Sequence, residues 1–213
     1  MKSLSSSTKN KIRNSLSASS DLQSERLNLF QLSPDTITDT EELSKLFSNP
    51  SIHKFQNEST FLLEKNLNSE LEKKEHVNQS EDQHEKLWAV QETKRGKSLG
   101  LIQIIHLNKR EAEIGFIIFP EYWRQGIAKE AGLLILRYLF NQSAFEKTLA
   151  YTNAYNEPCI KLLESLRFDW VGSYEEEVVC NEMSRRSYLY ELDRKKWKKI
   201  RVSLKNSNSV KSP

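Results

Sequence analysis

Glycine is scarce in this 213-residue chain, six in all, so where each one falls carries weight. Gly126 stands in the run P-E-Y-W-R-Q-G-I-A-K-E-A, where a short polar turn passes into a stretch of helical period. The first amides of a helix have no carbonyl partner, and the helix dipole puts partial positive charge at the same end. With no side chain at Gly126 and a small one at Ala128, an anion such as a diphosphate can approach that backbone, and Arg124 adds a mobile positive charge. The same residues also suit an ordinary capped helix. His76 and His84 sit eight apart in a polar stretch with Glu81, Asp82 and Glu85. They lack the tight spacing of a ligand pair, so they are read as solvent-exposed and no metal is expected.

The elements around that turn follow from hydrophobic period. Alternation of Leu27, Leu29 and Leu32 predicts a strand at about 26–32, closed by Ser33-Pro34-Asp35. An amphipathic helix with Leu43, Leu46 and Phe47 on one face ends before Asn49-Pro50, and a second follows around 59–75. A solvated loop is expected over 78–85. Three strand-like runs at 87–91, 99–107 and 113–119 are separated by short turns and therefore lie antiparallel. Helical spacing then holds from about 126 to 141, a strand follows at 148–152, and Pro158 opens a helix whose Ile160, Leu162, Leu163 and Leu166 face inward. Strands at 168–174 and 185–192 finish the pattern, with Trp88 and Trp170 read as core. The order β-α-α-β-β-β-α-β-α-β-β implies an α+β fold, a mixed and mostly antiparallel sheet of about seven strands with about four helices.

Composition narrows the class. The chain is 37% hydrophobic and 29% charged, enough for one well-buried domain, and no apolar run approaches the eighteen residues of a membrane span. Two cysteines, Cys159 and Cys180, cannot staple a chain of this size, and no secretory apolar segment opens it, so a cytoplasmic setting is expected. The net charge of +3 is uneven: residues 1–20 carry four basic residues and 194–213 carry eight, with no acid in either, which leaves 21–193 at −9. Three segments are therefore expected: a basic, Ser-rich, disordered 1–20, a folded 21–193, and a basic tail at 194–213 that is solvated or docks on RNA, a ribosome or an anionic membrane. An acidic body argues against a whole-domain nucleic-acid binder and would attract a cationic substrate.

Four motifs in order resemble the GNAT acetyltransferase superfamily over about residues 24–193, with an expected GNAT fold. Trp123-Arg124-Gln125-Gly126-Ile127-Ala128, continued to Glu130-Ala131, resembles the Y-W-G-K-G-Y-A-T-E-A form of the branch that acetylates ribosomal-protein N-termini. Glu25-Arg26-Leu27-Asn28-Leu29 resembles that branch's T-E-R-L-x-L, and Glu113-Ile114-Gly115-Phe116 its E-I-G-Y strand. Asn156-Glu157-Pro158-Cys159, followed by Leu166-Arg167-Phe168, resembles its N-x-x-S and L-G-F segments.

The resemblance implies an acetyl-CoA-dependent transferase that passes acetyl directly to a primary amine, without an acyl-enzyme. By the same resemblance Phe116, Ile117 and Ile118 pair with the pantetheine arm where two strands splay. The amides of Arg124 through Ala128, with Gln125, Gly126 and Ile127 between them, take the pyrophosphate in a cofactor-binding turn that Trp123 opens, and Asn156 bonds the arm near its thiol end. Glu113 is the candidate base, or else a cross-strand salt bridge; Cys159 is the candidate proton donor to the departing thiolate, or else a small buried hydrophobe. Where many members keep a tyrosine this chain has Leu163, and where a glycine is usual it has Arg167. Where some protein acetyltransferases keep a glutamate it has Tyr151, which with Tyr155 lines the substrate mouth or packs at its rim. The expected acceptor is a cationic amine: a protein N-terminus, ribosomal or other, a polyamine, or an antibiotic. A CoA-binding module without turnover is the rival. The expected oligomeric state is monomer or homodimer.

Overall fold

A computed structural model describes residues 22–32, 85–142, 144–176 and 185–209. The helices expected before residue 76, the polar loop with His76 and His84, and Cys180 lie outside the described residues.

Seven strands form one sheet: β1 (Leu27–Gln31), β2 (Glu85–Glu92), β3 (Ser98–His106), β4 (Glu111–Ile118), β5 (Lys147–Asn153), β6 (Asp169–Glu176) and β7 (Arg185–Asp193). Their spatial order is β1-β2-β3-β4-β5-β7-β6, with every neighbouring pair antiparallel except β4 and β5. Three α-helices accompany them among the described residues: α1 (Ile127–Gln142), α2 (Glu157–Ser165) and α3 (Arg194–Ser209). Each expected strand is present within a few residues of its predicted bounds, because alternation in half-buried strands is a direct signal of the face that packs.

The main core lies between the helices and one face of the sheet. Leu27, Leu29, Trp88, Ile102, Ile104 and Ile114 meet Ala131, Ile135 and Leu139 of α1 there, with Leu163 and Phe168 beyond them. A smaller cluster of Ala89, Leu101 and Ile117 lies on the opposite face, packed by Phe30, Leu32, Leu87 and Phe119. Gly100 is where the sheet demands glycine. It has φ +156° beside a register shift, and a Cβ there would stand 2.2 Å from the Ile117 carbonyl oxygen. Any other residue would push β4 away from β3.

Two expectations change. The segment after residue 193, expected as a solvated tail, continues the fold as α3. Asp193 accepts from the Lys196 N–H at 2.7 Å and so caps the helix start. Arg194 donates to the carbonyl of Phe140 at 2.6 Å, covering an orphan acceptor in the last turn of α1, and to that of Phe145 just beyond the helix. Trp197 is buried against Phe140, with ring centroids 5.9 Å apart. Trp170, expected in the core, is 58% exposed. It lies on the edge strand β6, where the register slips between Trp170 and Gly172, and its indole meets the Tyr188 ring edge-on at 6.2 Å.

Candidate active site

Parallel pairing of β4 with β5 lasts for three residue pairs, Glu111 with Lys147, Ala112 with Thr148 and Glu113 with Leu149, and then stops. Among the described residues β4 continues to Ile118 with β3 alone as its partner, and β5 continues to Asn153 with β7 alone. The two strands therefore part after Glu113 and leave a wedge bounded by unpaired backbone edges. Backbone groups on such an edge must find other partners or water, which makes them a template for an extended, amide-bearing ligand. Phe116, Ile117 and Ile118 stand on that edge. Phe116 turns toward α1, Ile118 is buried in the main core and Ile117 in the smaller cluster, so the three side chains are anchored and the backbone between them is held in place.

A short turn carries the chain from β4 into α1. The Phe119 N–H bonds the Leu99 carbonyl at 3.0 Å, a 3-10 turn spans Pro120–Tyr122, and the Trp123 indole N–H donates back to the Ile118 carbonyl at 2.7 Å. Trp123 thus serves as a strut across the turn. Arg124 has φ 60° and Gly126 φ 77°, so left-handed residues flank Gln125. Such alternation turns successive amides toward one concavity, a geometry that suits an anion. For glycine that conformation is free of penalty; for Arg124 it stores strain, a feature that concentrates at functional sites. The first amide of α1 to make its helical bond is that of Glu130, to the Gly126 carbonyl at 3.0 Å. The amides of Ile127, Ala128 and Lys129 precede it and have no turn behind them to bond. Arg124, Gln125 and Gly126 are exposed.

The second wall is β5 and α2. Asn156 caps α2, its side-chain oxygen accepting from the Cys159 N–H at 3.2 Å, and Pro158 sits in the first turn. Cys159 packs against the main core beside Thr152. Burial pushes its thiol above the usual range. The Thr152 hydroxyl, buried and without a partner at ordinary bonding distance among the described residues, pulls the other way. Leu163 is fully buried, so the helix position where a tyrosine was sought is a core contact. Arg167 keeps the left-handed turn that a glycine usually makes, at φ 70°. Phe168 N–H bonds the Leu163 carbonyl at 3.0 Å and Arg167 N–H that of Glu164 at 2.9 Å, a Schellman end with its side chain turned outward.

Glu113 is buried at the apex of the wedge, on the last pair before the strands part. Tyr155 is 80% exposed, next to the start of α2, and Tyr151 meets Tyr174 edge-on at 5.8 Å. One continuous run thus joins Glu113, the β4 edge and the turn through Ala128, while Asn156 and Cys159 belong to the opposing wall. Sequence reasoning had no role for Thr152, nor for the pairing of Arg26 and Ser24 with Glu130 at the base of the turn, which depends on contacts more than a hundred positions apart. Among the described residues no group of three His, Cys, Asp or Glu could hold a metal, and no helix is long and apolar enough to cross a membrane.

Several known proteins resemble this arrangement. The chain is 31% identical over 72 residues to the SPbeta prophage-derived uncharacterized N-acetyltransferase YokL of Bacillus subtilis, which is 33% of this chain and 41% of that one. It is 30% identical over 83 residues to YkkB of the same organism, 38% and 48% of the two chains. It therefore spans less than half the length of these curated relatives. In fold it is similar to an acetyltransferase of the GNAT family from Bacillus anthracis, with TM-score 0.64, 18% identity, and 82% and 98% of the two chains covered. The spermidine N-acetyltransferase of Vibrio cholerae, solved with CoA and spermine, gives TM-score 0.64 at 23% identity over 82% and 99%. The family model described as an acetyltransferase (GNAT) domain matches residues 26–169, from Arg26 just before β1, through the wedge and the Gly126 turn, to the first residue of β6, and the chain belongs to that family.

Proposed function

We propose that the protein transfers the acetyl group of acetyl-CoA directly to a primary amine, with the N-terminal α-amine of a protein as its first acceptor class. The observation that carries this reading is the open edge of β4 running into an uncapped helix start: one surface that suits an amide-bearing arm along its length and a diphosphate at its end. In this reading the β4 backbone over Phe116, Ile117 and Ile118 pairs with the pantetheine arm. The amides from Arg124 to Ala128 receive the pyrophosphate, with the Arg124 side chain free to close over it. Asn156 has its oxygen committed to the cap, so its side-chain NH2 is the group offered to the arm.

Most of the rate enhancement then comes from orientation and from backbone dipoles aimed at the developing oxyanion. Glu113, at the apex, takes the ammonium proton directly or through a water so that the amine attacks in its neutral form. Cys159 stays protonated because its burial disfavours the thiolate, so it does not become the acyl acceptor, which accords with direct transfer. Proton donation from it to a thiolate of ordinary basicity, pKa about 8.5, would run uphill, so the proposal assigns Cys159 to the lining of the wall and lets the thiolate leave as an anion.

A polyamine is the second acceptor class. The −9 charge of residues 21–193 suits a polycation, and the Vibrio cholerae neighbour acts on spermidine by its description. The rival of a different kind is a module that binds CoA without turnover and docks on RNA or a ribosome through its basic C-terminal segment. The test is release of free CoA thiol from acetyl-CoA with basic N-terminal peptides, spermidine and aminoglycosides as acceptors, beside a thermal-shift titration with CoA. Turnover with a peptide supports the first acceptor and turnover with spermidine alone the second. A CoA-induced shift without turnover on any acceptor supports the module, and no shift at all overturns the reading.

A further inference from the structure

Two motif residues that are 104 positions apart, Arg26 and Glu130, meet at the base of the Gly126 turn. Arg26 Nε donates to Glu130 Oε2 at 2.8 Å and Nη2 donates to the same oxygen, while the Ser24 hydroxyl donates to Oε1 at 2.6 Å. Arg26 Nη1 also reaches the Gln125 carbonyl at 3.4 Å, and Nη2 lies 3.7 Å from where a Cβ on Gly126 would stand. The Arg26 backbone is itself fixed, its carbonyl accepting from the Thr93 N–H at 2.9 Å.

Glu130 lies in the first turn of α1, where a carboxylate suits the helix dipole but competes with any anion seeking the same end. Three donors now occupy that carboxylate, and the two from the Arg26 guanidinium carry the balancing charge. The Gln125 carbonyl belongs to the same trans peptide unit as the Gly126 N–H, and the two groups point in opposite directions. Drawing the carbonyl toward Arg26 therefore turns the Gly126 N–H toward the concavity of the turn. As a contribution to the fold the pair is modest, since the side chains are 53% and 25% exposed.

We propose that Arg26 is a positioning residue for the diphosphate of acetyl-CoA, neutralising Glu130 and orienting the Gln125–Gly126 peptide without itself touching the reacting atoms. The proposal rests on the acetyl-CoA reading above. Its test uses the full chain, with calorimetric binding of CoA and steady-state kinetics on acetyl-CoA and on S-acetylpantetheine, which lacks the diphosphate. Arg26→Gln should weaken CoA binding and raise KM for acetyl-CoA by about tenfold with kcat within about twofold, while KM for S-acetylpantetheine stays unchanged. Glu130→Gln added to Arg26→Gln should recover most of that loss, because no carboxylate remains to be neutralised. Glu130→Gln alone should bind CoA as well as the parent or better, which keeps the test decisive if Arg26→Gln folds poorly. Unchanged CoA binding in Arg26→Gln, equal losses on both acetyl donors, or a loss that Glu130→Gln does not recover would overturn the proposal. Failure of the parent protein to bind CoA would instead remove the reading beneath it.

Discussion

α1 and α2 both begin just beyond the ends of the diverging strands β4 and β5, and each brings the unbonded amides of a helix start to the wedge. Only one of them keeps those amides open. At α1 the chain enters through Gly126, which has no side chain to cap with, and the acid of the first turn, Glu130, is tied to Arg26 and Ser24. At α2 the Asn156 side chain already occupies the Cys159 N–H, and Pro158 removes another amide. Glu157 adds a carboxylate whose partner, Lys161, is an exposed residue one turn on at 3.3 Å. On the proposed reading, a helix start becomes an anion site by what the sequence withholds there, and the same geometry with a cap becomes a wall.

The comparison breaks most severely at Gly126. Gly126→Glu forces a side chain into φ 77° and puts a negative charge among the amides, and CoA binding measured by calorimetry should fall by at least about a hundredfold. Glu157→Gln, the matching manipulation of charge at α2, should leave CoA affinity within about twofold, since no phosphate is expected there. Equal responses at the two helix starts would show that the wedge does not distinguish them.

The cap at α2 sharpens the contrast next. Asn156→Ala should cost about 1 kcal/mol of stability in denaturant unfolding, the usual loss for an N-cap side chain. Ser or Asp at the same position should restore it. If the side-chain NH2 of Asn156 also bonds the pantetheine arm, these two replacements will recover stability without recovering KM for acetyl-CoA. At the far end of the same helix, Arg167→Gly relieves a side chain held at φ 70° and should stabilise the protein by about 0.5–1 kcal/mol, part of the gain being offset by the freer unfolded chain.

How far these features could be read beforehand depends on how local they are. The run from residue 85 to 119 was legible as three antiparallel strands because alternation and short turns are local signals, and the Gly126 turn because glycine, a small residue and a helical period fall within a few positions. α3 was not: eight basic residues without an acid resemble a solvated run, and the weaker signals, Asp193 as a cap and Trp197 spaced three from Ile200, become decisive only where α1 ends and offers a carbonyl to Arg194. Trp170 misled in the other direction, since alternation cannot tell an edge strand from a central one. The pairing of Arg26 with Glu130 spans 104 positions and follows from the packing of β1 beside α1, which no local pattern encodes.

The smallest effect concerns the buried thiol on the capped wall. Burial holds the Cys159 thiol above its ordinary range, so in alkaline solution the unfolded chain loses that proton first. The folded state then binds more protons than the unfolded one, and stability falls as pH rises. The contribution is fully present below the ordinary thiol pKa of about 8.5 and is lost on the way to the raised folded value. Cys159→Ala removes that titration: whatever packing it costs at neutral pH, its unfolding free energy should fall less steeply than the parent's above pH about 8.5, with Cys180 titrating in both proteins and cancelling in the difference. An unchanged slope would mean that the thiol is as free to ionise in the folded protein as in the unfolded chain. The wall at α2 would then hold a reactive thiolate, and the contrast between an open anion site and an inert capped wall would have to be redrawn.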